Sequence, residues 1–175
     1  IASDSMSLAL HGEFRFDGYD PKDSLALQGM KERKQSFDAG ISFNYSAIWG
    51  QTEIIYIADA TDTHDGDELR LTYQYPYTSG KWLVVPSIGI NWQDESLVDY
   101  YYGVTATEAS AERPEYNGFK ASNVFAQLSM GYQIDDDLKL LAGVKYSKFD
   151  DDILASPIIS RSTQADVFAA VVYIF

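Results

Sequence analysis

The chain has two histidines, His11 and His64, and both stand among acids. His11 shares one side of an alternating stretch with Glu13 and Arg15, while His64 lies within Asp62-Thr63-His64-Asp65-Gly66-Asp67. A hydrolase needs a nucleophile and a base within hydrogen-bond reach, with a third group orienting the base. No spacing in the sequence pairs a serine with either histidine, which argues against catalysis. The His64 stretch has the acids and the glycine of a calcium loop. It lacks the fixed ligand register that closes on a glutamate at the twelfth position. It reads as a solvated acidic loop, as do Asp135-Asp136-Asp137 and Asp150-Asp151-Asp152 at strand ends. No cofactor or metal site is expected. With no cysteine, thiolate ligands and disulfides are excluded. A formal net charge of −13 argues against nucleic acid, whose phosphates call for Lys and Arg.

The elements that position these groups are strands. The last twelve residues, 164–175, place Ala165, Val167, Ala169, Val171, Tyr173 and Phe175 on one unbroken apolar face and stop on an aromatic residue. Alternation over about ten residues is what a tilted membrane-crossing strand requires. Bacterial outer-membrane barrels finish on such a strand, so Val171, Tyr173 and Phe175 read as an assembly signal. The opposite face, with Phe168, Ala170 and Val172, is less polar than usual. The first strand, 7–17, sets Leu8, Leu10, Phe14 and Phe16 against His11, Glu13, Arg15 and Asp17. Further alternating strands are expected at 36–48, 52–60, 68–77, 81–93, 122–134 and 138–149. Ile55 and Ile57 blur the third, and Pro86 in the fifth calls for a bulge. Eight strands result.

The inward faces then carry Glu13, Arg15, Asp38, Glu53, Glu68, Arg70, Lys139, Lys145 and Asp166. His11, Glu13, Arg15, Glu68, Arg70, Lys139 and Lys145 form the expected lumen charge cluster. In a narrow barrel such groups pair across the interior and fill it. Connections alternate long and short, as extracellular loops and periplasmic turns do. Trp49, Tyr77, Trp82, Tyr132, Tyr173 and Phe175 gather at the short-turn end, like an interfacial girdle. The segment 94–118 reads as the longest loop, with two turns of helix expected within 105–112. Residues 97–104 stay in the loop, because an extra strand there breaks the parity. Aromatics make up 14% of the residues and thirteen are tyrosine. Ile1-Ala2-Ser3-Asp4 shows neither a basic nor an apolar leader region, so no signal peptide is expected within these residues. The fold class is all-β: a single domain, 1–175, forming an antiparallel up-and-down transmembrane β-barrel.

Tyr101-Tyr102-Gly103-Val104, then Glu108-Ala109, then Pro114-Glu115-Tyr116, resemble the signature of the MipA/OmpV family of Gram-negative outer-membrane proteins. Gly29-Met30, Ser156-Pro157-Ile158-Ile159 and the closing Tyr173-Ile174-Phe175 are similar to other landmarks of that family. Its members are longer at the amino end, so the resemblance implies a barrel of ten to twelve strands with eight visible here. It also implies a place in the outer membrane, among lipid and lipopolysaccharide, and a scaffold role. That role would bridge a murein lytic transglycosylase and a murein synthase, while some relatives serve osmotic response or adhesion. Two other readings stand beside it. One is a narrow channel or small-solute binder using the mixed-charge lumen. The other is a soluble lipid-binding barrel with the apolar face turned inward.

Overall fold

The computed structural model describes residues 5–173. Its strands are β1 (Met6–Arg15), β2 (Ser36–Ala47), β3 (Gly50–Asp59), β4 (Asp67–Gln74), β5 (Tyr77–Ser79), β6 (Trp82–Gln93), β7 (Ala121–Gln133), β8 (Leu138–Lys148) and β9 (Thr163–Tyr173). Among the described residues two α-helices, α1 (Glu95–Tyr102) and α2 (Asp151–Leu154), and a short 3-10 turn at Leu25–Leu27 lie in the connections. The strands form one antiparallel meander in the order β1-β2-β3-β4-β6-β7-β8-β9, curled as a half-barrel with β1 and β9 at its edges. β4 and β5 act as one strand, since their register against β6 runs through without a shift from Gln74↔Ser87 to Tyr77↔Val84. The meander therefore has eight strands among the described residues.

The alternation of the sequence becomes the two faces of this sheet. Large apolar side chains stand in the open on the convex face: Leu10 is 91% exposed and Val167 81%. Ionisable groups are buried on the concave face, where Asp38 and Glu68 are each 1% exposed. A soluble lipid carrier has the reverse arrangement, so that reading is overturned. Ile55 and Ile57 settle on the concave side, both buried. The expected bulge at Pro86 is also absent, since β6 pairs with β7 in unbroken register from Trp82 to Gln93. Tyr75 N–H donates to the Pro86 carbonyl at 3.1 Å, which places the missing proline N–H on the side of Tyr75. A hydrogen-bonded antiparallel pair exchanges two such bonds, and proline supplies only the carbonyl half. The ladder breaks there, between β4 and β5, rather than bulging.

Short turns lie at one end: Ile48-Trp49, Gly80-Lys81 (Gly80 at φ +57°) and residues 134–137. Long connections lie at the other: 16–35, 60–66, 94–120 and 149–162. The first turn sits one residue earlier than Trp49–Gln51, because Gly50 at φ +135° already belongs to β3. At this end Trp49 stacks on Tyr73 with ring centroids 6.1 Å apart, and Trp82 meets Tyr132 at 4.6 Å. Val171 and Tyr173 lie on the outer face of β9, opposite Leu140 and Leu138, while Phe175 falls outside the described residues.

The helical expectation for 105–112 is corrected. The helix is α1, in the segment read as loop, and 105–112 is a succession of turns. Asp94 accepts from Leu97 N at 3.0 Å and caps α1, Glu95 fills its first turn, and Leu97, Val98 and Tyr101 are buried. The connection 150–163 likewise holds α2, capped by Asp150. A hydrophobic cluster lies under these loops, where they meet the start of β7. Val98, Ala121 and Ile153 form it, with Tyr102, Phe149 and Ile159 packed against them.

Candidate functional site

Alternation on β1 and β4 sends Glu13, Arg15, Glu68 and Arg70 to the same concave surface, and register brings them together. Arg15 donates to Asp38 at 2.8 Å, Glu68 at 3.2 Å and Asp17 at 3.3 Å. Arg70 takes both oxygens of Glu13, at 3.1 and 2.9 Å, and Glu68 at 2.6 Å. Glu68 also accepts from Gln93, which accepts from Asn123, each at 3.0 Å. His11 bonds Glu13 at 3.0 Å. Arginine suits this lattice because its planar fork reaches two carboxylates at once. Of the expected lumen cluster, His11, Glu13, Arg15, Glu68 and Arg70 are thus in one network. Lys145 lies nearby, its amine 4.4 Å from the centre of the Phe125 ring. Lys139 stands apart, paired in register with Val172 and Gln133 near the short turns. A cavity of about 420 Å³ opens against the network, with Lys145, Asp166, Asn123 and Tyr102 on its walls.

Above the cavity the long connections form a cap, held by Arg33 and Glu108. The Arg33 guanidinium takes both Glu108 oxygens, at 3.0 and 3.1 Å, and the carbonyls of Tyr100, Lys31 and Gly103. Glu108 further accepts from Lys31 N, Thr105 N and the Thr105 hydroxyl. Burial opposes ionisation of Glu108, but the bond from Arg33 and those backbone donors outweigh it and lower its pKa to about 2. Arg113 adds a strap, donating to the carbonyls of Ala26, Gln28 and Glu108. Residues 16–35 and 94–120 are thereby locked together.

The motif loop supplies the joints of this cap. Tyr101 is buried, with its hydroxyl at 3.2 Å from the Lys34 carbonyl and 3.3 Å from Ser36 Oγ. Burial pushes that phenol up to about 12 against the Ser36 bond, and burial likewise raises Tyr102. Gly103 is packed so closely on Asp99 that a Cβ would overlap its carbonyl. Val104 and Tyr116 exchange backbone bonds at 2.7 and 3.0 Å, the Tyr116 hydroxyl donates to the Asp152 carbonyl, and Pro114 stays exposed. Ser156, buried, donates to the Tyr102 carbonyl at 2.6 Å and ties 149–162 to α1.

Asp38, Asp59 and His64 place ligand atoms within 4.8 Å of one another, a constellation that invites a metal. Their bonds argue for a strut. His64 Nδ1 accepts from Gly66 N at 3.0 Å, so Nε2 carries the proton and donates to Asp38 at 3.1 Å. Asp59 accepts the N–H groups of Thr61, Thr63, His64 and Asp65, closing the loop on itself. His64 is buried, which corrects the reading of 62–67 as wholly solvated; Asp62 and Asp65 are exposed. Asp150 is corrected too, since it accepts from Ser122 N, Ser122 Oγ and Asp152 N. Among the described residues neither histidine meets a hydroxyl. Arg33 went unnoticed in the sequence: its partner is 75 residues away, beyond any local pattern.

The family model described as "MltA-interacting protein MipA" matches residues 1–175. The "MltA-interacting protein" of Escherichia coli (strain K12) is 25% identical over 150 residues, covering 85% of this chain and 60% of its own length. "Outer membrane protein Omp26La" of Vibrio anguillarum is 26% identical over 157 residues, 90% of this chain and 61% of that protein. "Outer membrane protein OmpV" of Vibrio cholerae is 27% identical over 157 residues, with the same two shares. The chain spans about three fifths of the length of these curated relatives. No solved structure matches.

Proposed function

Because the chain belongs to the family described as MltA-interacting protein MipA, we propose that it is a non-enzymatic outer-membrane barrel serving as a scaffold. It engages a murein lytic transglycosylase and holds it beside a murein synthase. Relatives named as outer-membrane proteins and as an MltA-interacting protein support both the location and the first partner. The convex apolar face lies against lipid and the long loops meet lipopolysaccharide.

The observation that carries the reading is the cap. Arg33, Glu108 and Arg113 bind two long connections over the outer mouth, and the ion-pair lattice occupies the lumen beneath. That arrangement disfavours an open diffusion pore and leaves the periplasmic rim as the contact surface. The visible rim is small. A stable interface buries ~800 Å² per partner and draws on ~20–30 residues from each side. Three tight turns supply less, so binding is weak unless the relatives' additional length contributes. The outer loops serve a separate surface role, such as adhesion.

Co-purification of a lytic transglycosylase with the full-length protein tests this. Capture should fall several-fold when Asp135, Asp136 and Asp137 are all replaced by Asn, and should survive Glu108→Gln in the cap. Capture lost with the cap variant and kept with the turn variant overturns the reading, as does no capture by the native protein.

A further inference from the structure

Seven charged residues line the chamber under the cap, and they fall into two groups. Glu13, Arg15, Asp17, Glu68 and Arg70 are interlocked, each within ion-pairing distance of an opposite charge. Lys145 and Asp166 are not. Among the described residues Lys145 has no carboxylate oxygen within 4.0 Å, and its amine rests over the Phe125 ring. Among the described residues Asp166 has one hydrogen-bond partner, Gln164 Nε2 at 2.7 Å. These two unneutralised groups are of opposite sign, line the same cavity, and are direct cross-strand partners in the β8–β9 register.

We propose that Lys145 and Asp166 form the recognition pair of a binding site for a small zwitterion of the α-amino-acid type. The inference is independent of the murein reading. Directly opposed residues in an antiparallel pair have Cα atoms about 4.5–5.5 Å apart. Their head groups therefore present neighbouring charges, as an α-amino acid presents its ammonium beside its carboxylate. The carboxylate of the ligand meets Lys145 and its ammonium meets Asp166. Holding both charges costs no net charge burial, whereas an ion of either sign leaves one protein group unmatched. The chamber, about 420 Å³, falls in the range of small-molecule sites, roughly 300–1,000 Å³.

Access and side-chain space are also present. A second cavity of about 580 Å³ shares Phe16, Asp17, Tyr102, Phe149 and Gln164 with the first and extends to Arg161. The shared aromatic residues make a neck, with Tyr102 and Phe149 centroids 6.4 Å apart. An apolar or aromatic side chain on the ligand would lodge there, while its two charges reach the pair below. A competing arrangement is a simple Lys145–Asp166 bridge formed by rotation of the lysine. A single solvated lysine–carboxylate bridge contributes little, so a ligand satisfying both groups displaces it.

Calorimetric titration of the full-length protein in detergent tests the proposal with three probes: L-phenylalanine, 3-phenylpropionate and phenethylamine. They share the ring and differ only in which charges they carry. L-phenylalanine should bind at least about tenfold tighter than either single-charge analogue, a difference of about 1.4 kcal/mol. Lys145→Gln and Asp166→Asn should each abolish that preference. The exchanged double variant, Lys145→Asp with Asp166→Lys, should restore it, because a zwitterion can bind turned around. Equal affinity for the three probes, no binding of any, or a preference unchanged in both single variants overturns the proposal. If the variants fail to insert, the probe comparison on the native protein decides alone.

Discussion

On β1, β2 and β4 the inward charges interlock: Arg15 spans Asp38 and Glu68, and Arg70 spans Glu68 and Glu13. On β8 and β9, at one edge of the half-barrel, the inward charges Lys145 and Asp166 stand side by side without meeting among the described residues. Both walls carry ionisable residues at alternate positions, so pattern alone does not separate them. The difference lies in side-chain chemistry and neighbours. Arginine presents a rigid fork with five donors and reaches carboxylates on two strands, while Lys145 presents one flexible ammonium. The first wall is a finished polar interior. The second leaves Lys145 and Asp166 unbridged among the described residues, which is where a binding site can exist.

The sharpest way to break this comparison is to remove the shared carboxylate of the first wall. Glu68, 1% exposed, is held by two arginines and Gln93. Glu68→Gln leaves Arg15 and Arg70 under-compensated and should cost ~3–5 kcal/mol, the range for breaking one side of a buried pair. Denaturant-dependent folding into lipid vesicles is the measurement. A cost below about 1 kcal/mol would mean that water already screens the lattice.

On the convex face a charge should be nearly as damaging on β7 as on β4. Leu71 on β4 and Leu128 on β7 sit mid-strand and outward. Arginine at either position should lower stability in bilayers by ~2–4 kcal/mol, provided that surface meets lipid. An unchanged value at one of them would reassign that strand's facing.

Alternation made the wall legible. Leu69, Leu71 and Tyr73 against Glu68, Arg70 and Thr72 told which way each strand faces, and all eight strands came through with ends shifted by a few residues. The pairing inside the lumen was legible only as a set of candidates: Glu13 and Arg70 were on one face, but the register that joins them is a tertiary property. The cap was least legible. Glu95–Tyr102 carries three tyrosines and a valine, which suit strands, and the Asp94 cap was the local signal of helix that went unused. Arg33 read as one charge among many in a loop, since sequence pattern carries no trace of a partner in 94–120.

The cap offers a smaller effect with a pH signature. Glu108 has its carboxyl lowered from 4.5 to about 2, so the folded cap favours its ionised form. Its contribution is complete above about pH 4.5 and is lost as pH falls toward 2. Amide exchange across 95–118, corrected for intrinsic rate, should accelerate over that interval. Glu108→Gln should cost ~1.5–3 kcal/mol at neutral pH and remove most of the acid dependence. Unchanged exchange between pH 5 and 2.5 would show that the Arg33 clamp does not hold the loops.

The smallest effect belongs to the second wall, and it is the most telling. Among the described residues Asp166 is exposed, has one amide partner and is not bridged to Lys145. Asp166→Asn keeps the shape and the hydrogen bond to Gln164 while removing the charge. Exposed substitutions away from caps and buried pairs stay within about ±0.5 kcal/mol. The same folding measurement applied to Asp166→Asn and Glu68→Gln should therefore give values several-fold apart, although both remove one inward carboxylate. If the two cost the same, the β9 carboxylate supports the fold as much as the β4 one does, and the zwitterion pair loses its freedom to serve a ligand. If Asp166→Asn is neutral for folding yet changes which probe binds, the charge is there for recognition.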